Sequence, residues 1–173
     1  MKKIWITLGV IALLLNAVST GTCKESTPQT PQTPSTDKAI LKAVVRSAAL
    51  GLAAVAVNKD GTYNTSLIQQ YVNAVRFLDD RSGYFFVYDY TNNVNIAHAT
   101  LKDFPGTDKT NYKDARGMYV GQEFSKIAKS KAGSGFLVYY WNNPDTKKEE
   151  KKLGYVEVIP GTTLYIGSGI FMH

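Results

Sequence analysis

One cysteine and two histidines in 173 residues leave this chain few groups for disulfide, thiol or metal chemistry. A lone Cys23 cannot close an intrachain disulfide, so the fold has to rest on core packing. His98 and His173 stand far apart, and neither a His-x-x-x-His nor a paired-cysteine spacing occurs, so no metal site and no cofactor is expected. Nucleophilic catalysis is equally poorly served. Ser168, in Gly-Ser-Gly, lacks the flanking pattern of a nucleophile elbow. Asp79, Asp80 and Asp89 occupy turn-like positions where Asp is favoured for backbone reasons. No catalytic residue stands out, and no enzyme activity is expected.

A concentrated basic stripe is missing too. The formal charge of +6 includes Lys2 and Lys3, and the densest group, Lys147, Lys148, Lys151 and Lys152, encloses Glu149 and Glu150. Nucleic acid is therefore not an expected partner. Long apolar runs are scarce: Ile4 to Leu15 is too short to span a bilayer comfortably, and Lys42 and Arg46 interrupt the window that ends in SAALGLAAVAV.

What is there begins with a leader. Lys2 and Lys3, the apolar run to Leu15 and small polar residues from Asn16 to Thr22 have the layout of a secretory signal peptide over residues 1–22. Cys23 lies where a bacterial lipoprotein places its lipidated residue, while Ala17 and Ser19 fit an ordinary small-x-small cleavage site, and both readings stand. Either one exports the domain, to the periplasm or to a lipid tether on the membrane. Residues 23–36, with the tandem TPQTPQTP, cannot bury apolar area and read as a tether extending about 3 Å per residue.

The remaining residues, 37–173, read as one α+β domain. Asp37 is placed to cap a helix from Lys38 toward Val57; its start is amphipathic, and its apolar later part implies burial against a sheet or contact with another subunit in a homodimer. The turn Asn58 to Gly61 ends it, and a second helix starts near Ser66, whose spacing to Gln69 fits a capping box. Tyr84 to Tyr90 alternates, with Tyr84, Phe86, Tyr88 and Tyr90 on one side and Phe85, Val87 and Asp89 on the other; a turn leads into Val94 to His98. Thr100 to Gln122 has no period and reads as a long functional loop. A short helix over Glu123 to Lys131 follows. Strands Phe136 to Trp141, Lys152 to Ile159 and Thr163 to Phe171 then complete a five-stranded antiparallel sheet. Its aromatic face suits capture of a small organic molecule.

The words Arg76-Phe77 before GYFFVYDY, IAH at Ile96 to His98, GSGFLVYYWNNP at Gly133 to Pro144 and KLGYVEVIPGTTLYIGSGI at Lys152 to Ile170 together resemble the single Cache domain family, the extracytoplasmic PAS-like sensor modules of bacterial chemoreceptors and kinases. The resemblance covers Asp37 to the C-terminus. It implies a long N-terminal helix packed on a five-stranded antiparallel PAS-like sheet, with a small ligand held between the sheet and the long loop. Because the chain stops two residues after its last strand, it resembles a stand-alone exported form that passes its signal to a separate membrane sensor or transporter.

The resemblance also implies a ligand: related domains commonly bind short carboxylates. A carboxylate removed from water needs a cation or several donors, with small apolar walls for its alkyl group. His98 and Lys152 are candidates for the polar contacts, Tyr84, Tyr139 and Tyr155 for hydroxyl donors, and Phe86 and Trp141 for walls. The bland alternative for the Tyr and Phe positions is half-buried strand packing. At the level of the whole chain, the alternative is a protein-docking module with no small ligand.

Overall fold

Proline at the first helical position needs no hydrogen-bond partner for an N–H it lacks, and Pro34 opens the first helix of the computed structural model, which describes residues 34–172. The expected signal peptide, Cys23 and the tether up to residue 33 lie outside the described residues. Helix α1 runs Pro34–Ala53, so the last three residues expected in the tether are helical. Asp37 sits within the first turn, where its charge complements the helix dipole, rather than at the cap. The helix also ends four residues earlier than expected. Val57 bridges Tyr63 across a tight turn in which Asp60 accepts from the backbone and the hydroxyl of Thr62, and Gly61 takes φ 84°. Along the apolar later part only one stripe is buried: Ala48, Ala49, Leu52 and Ala56 face the sheet, while Leu50 is 54% exposed.

Helix α2 spans Thr65–Ala74. Its cap is Asn64, whose side chain accepts from Leu67 N, and not Ser66. The expected capping-box partner, Gln69, reaches across to the sheet instead, because the outward backbone groups of His98 would otherwise go unpaired.

The sheet comprises β1 (Phe86–Asp89), β2 (Asn95–His98), β3 (Ser134–Asn142), β4 (Glu149–Val158) and β5 (Leu164–Phe171). Its order is β2-β1-β5-β4-β3, and every pairing is antiparallel. Helix α3 spans Val120–Lys129, three residues ahead of its expected start, because Val120, Phe124 and Ala128 form its buried stripe. One sheet face packs on α1 and α2 through Phe85, Val87, Leu153, Leu164 and Ile166. The opposite face, with Phe86, Tyr88, Tyr139, Trp141, Val156 and Tyr165, packs on α3 and the loop before it. The alternation read from residues 84–90 therefore separates the two cores correctly.

The aperiodic stretch from 99 to 119 is anchored to both outer strands. On the β2 side, Asn95 N donates to Thr107 O, Gly106 N donates to Asn95 O and Val94 bridges Asp108. On the β3 side, buried Asp114 accepts from Arg116 N and Met118 N through Oδ1 and from Tyr140 N through Oδ2. Asp114→Ala orphans three backbone donors at once. It is expected to cost roughly 2–4 kcal/mol, read as a lower denaturant midpoint with an unchanged slope. A loss below about 0.5 kcal/mol would show that water replaces the carboxylate without penalty.

Candidate functional site

Glycines on β4 and β5 make the aromatic face concave. A Cβ on Gly167 would lie 2.5 Å from the Phe86 ring, and one on Gly154 would lie 2.8 Å from both Phe124 and Tyr139. The rings thus lie where side chains of these strands would otherwise stand. A Cβ on Gly169 would come within 2.7 Å of Lys152 Cε, so this glycine gives the lysine stem its path across the sheet. The rings close around a cavity of about 20 Å³, room for about one water. Its walls are Tyr84 from the segment just before β1, Phe86, Tyr88, His98, Tyr139, Trp141 and Tyr165 from the sheet, Val120, Gly121 and Phe124 from α3, and Lys109 and Tyr112 from the long loop. Among the described residues no acidic side chain lines it.

The position of His98 at the end of β2 decides its tautomer. The chain turns immediately after it, and Nδ1 accepts from Thr100 N at 3.2 Å and Leu101 N at 3.1 Å. The ring proton therefore belongs on Nε2, the remaining donor. The ring stacks near-parallel to Phe86 at 16° and to Trp141 at 22°. Burial, aided by the positive charges of Lys152, Arg76 and Lys109, lowers its pKa to about 3. His98 is thus a neutral, oriented donor at neutral pH. Its backbone is gripped from outside: the Gln69 amide accepts from His98 N and donates to His98 O, and Arg76 Nη2 donates to the neighbouring Ala99 O.

Lys152 is fully buried, one layer behind the cavity wall. Its Nζ donates to Tyr84 OH at 2.9 Å and lies over the Tyr84 and Phe171 rings, 4.0 and 4.3 Å from their centroids. Among the described residues no carboxylate forms an ion pair with it, and burial alone lowers its pKa to about 7. Burial pushes the Tyr84 hydroxyl up to about 12, so it can pass a hydrogen bond from the ammonium to a guest. Tyr139 is raised well above the ordinary phenol range by the same cause.

Of the seven residues picked from sequence for ligand contact, Tyr84, Phe86, His98, Tyr139 and Trp141 line the cavity, and Lys152 stands behind Tyr84. Tyr155 does not join them. It lies three residues from Lys152 on one strand, and a period of two sends it to the opposite face. There it packs on Phe136 with ring centroids 4.6 Å apart and donates to Glu157. The sequence reading missed several wall residues. Tyr88 shares the alternation of Tyr84 and Phe86, and Phe124 follows Val120 at helical spacing, so both carried a signal. Lys109 and Tyr112, in the aperiodic loop, carried none.

A Cache domain family model matches residues 58–173. The chain belongs to the Cache domain family. Cache domains are extracytoplasmic ligand-binding modules of chemoreceptors and sensor kinases. The sensor histidine kinase MctS of Rhizobium johnstonii (strain DSM 114642 / LMG 32736 / 3841) is 33% identical over 116 residues, covering 66% of this chain and 24% of the kinase. This Cache chain therefore spans about a quarter of that relative's length. A methyl-accepting chemotaxis protein from Vibrio parahaemolyticus RIMD 2210633 superposes with a TM-score of 0.65 at 28% identity, covering 78% of this chain and 87% of that structure. A Cache chemosensory domain studied for carboxylic acid recognition superposes at 0.63 with 23% identity, over 80% of this chain and 92% of that one. The five-stranded antiparallel sheet with its helices is the Cache fold shared with these structures.

Proposed function

We propose that this Cache domain binds a short-chain carboxylate between its sheet and long loop, where the loop wall moves outward to enlarge a cavity that otherwise has room for about one water, and reports its occupancy to a separate membrane sensor or transporter. The observation that carries this reading is Lys152, a fully buried cation without an acidic partner among the described residues, beside a cavity with no acidic wall. A buried charge left unpaired costs several kcal/mol, and an anion delivered to the cavity offsets that cost. Tyr84 and the Nε2–H of His98 supply directed donors for the carboxylate, and Phe86, Phe124 and Trp141 supply apolar walls for a small alkyl group. The likeness to the carboxylic-acid-recognising domain is one of fold, so the ligand class rests on these side chains. Export by the leader, with or without a lipid on Cys23, belongs to the same proposal.

Thermal unfolding of the protein with C2 to C4 carboxylates, set against amides and amines of equal size, tests it. Occupancy at about 100 times Kd adds about 2.7 kcal/mol to the folded state, a shift of several degrees. Selective stabilisation by carboxylates is expected. Equal stabilisation by the amides, or no shift from any acid, would overturn the carboxylate reading.

A further inference from the structure

We propose that the carboxylate enters this site together with a proton taken up by Lys152, so that the domain registers the undissociated acid rather than the anion alone. This rests on the carboxylate reading above.

The buried ammonium is poorly supplied with partners. Its single oxygen partner among the described residues is Tyr84 OH, and the ring faces of Tyr84 and Phe171 are weak substitutes for water on its other hydrogens. The titratable groups nearest to it hold no charge at neutral pH. Tyr84, just before β1, and Tyr139, paired with Lys152 across β3 and β4, have hydroxyls raised by burial, and His98 at the end of β2 stays neutral. The charges felt around the cluster are mostly positive: Arg76 beyond α2 and Lys109 from the long loop act on His98. Asp145, in the turn between β3 and β4, acts on Tyr84 with the opposite sign.

In these surroundings burial brings amine and ammonium to comparable populations near pH 7. A carboxylate hydrogen-bonded at Tyr84 favours the ammonium, because opposite charges in a dry site stabilise each other. The balance is simple: carboxylate anion, one proton from solvent and the neutral amine become a carboxylate beside an ammonium. No other bond changes. The net charge carried into the interior is zero, which is the arrangement that burial penalises least.

Linkage gives the sign. Above about pH 7 each binding event takes up close to one proton, so affinity falls about tenfold per pH unit; from pH 7 to pH 9 the loss is about 50-fold. Calorimetric titration with acetate, propionate and butyrate, in two buffers of different ionisation enthalpy, reads both quantities. Uptake of about half a proton at pH 7 and nearly one at pH 8 is expected. Tyr84→Phe, which removes the ammonium's oxygen partner, is expected to move the midpoint of the affinity profile to lower pH. Binding with no buffer dependence and equal affinity at pH 7 and pH 9 would overturn the proton coupling and leave the carboxylate site standing. Full proton uptake retained in Lys152→Met would overturn its assignment to Lys152. No binding of any of the three acids would overturn both readings together.

Discussion

Lys152→Met is expected to bind short carboxylates about 100-fold more weakly and yet to unfold at a higher temperature. The loss follows from removing the positive charge that acts on the guest through Tyr84, an effect of about 3 kcal/mol, which is about two powers of ten in affinity. The gain follows from the same burial. The folded protein holds this lysine at a pKa of about 7 against an ordinary 10.5, which measures how poorly the interior tolerates the ammonium. Methionine fills a similar volume and brings no charge, so stability rises by about 2–4 kcal/mol, roughly 5–15 °C for a domain of this size. Paired thermal scans and carboxylate titrations of the two proteins read the opposed effects. A variant that binds normally would show that Lys152 is not the anchor. One that binds poorly and melts earlier would show that its contacts with Tyr84 and Phe171 hold the sheet together.

Stability rises with pH across two separate windows, one for each buried base. His98 has a pKa of about 3 in the folded protein and 6.5 when exposed. The unfolded chain therefore binds more protons between those values, and stability present above pH 6.5 is lost as pH falls toward 3, by about 5 kcal/mol in full. Lys152 behaves alike at higher pH. Its folded value of about 7 lies below 10.5, so stability climbs from pH 7 to about 10.5 by a similar amount. Urea midpoints measured from pH 4 to pH 10 for the wild type, His98→Gln and Lys152→Met separate the two windows. The histidine variant is expected to flatten the acid slope beyond the general titration of carboxylates, and the lysine variant to flatten the alkaline one. Unchanged slopes in both variants would mean that neither group is held neutral by its surroundings.

Legibility in the sequence follows periodicity. Tyr84 to Tyr90 alternates cleanly, so the division of the sheet into one face packed on α1 and α2 and another that lines the cavity is readable from the residues alone, and Tyr84 and Phe86 fall on the cavity side. The same period, counted along β4, separates Tyr155 from Lys152, although one family word contains both. Helix ends are less legible because single side chains decide them: Asn64 outcompetes Ser66 as a cap, and Pro34 extends α1 into a stretch whose composition reads as tether. Lys109, Tyr112 and Asp114 lie where no period exists. Their roles depend on a chain path set by backbone pairing with β2 and by one carboxylate bonded to β3, both between residues distant in sequence.

The connector from 99 to 119 supplies Lys109 and Tyr112 to the cavity wall and is bonded on the β2 side at 106–108 and on the β3 side at Asp114, and the cavity has room for about one water. On the carboxylate reading proposed above, a guest enters and leaves by release of these attachments, together with the bonds from Lys109 N to Asn93 O and from Gln122 Nε2 to Thr110 O. Such an arrangement sets how fast the domain answers a change in concentration separately from how tightly it holds its guest. Loosening the Asp114 end is the direct way to shorten the response time: stopped-flow mixing with Asp114→Ala is expected to show association and dissociation both faster at nearly constant Kd. Rates equal to the wild type's would place the barrier elsewhere.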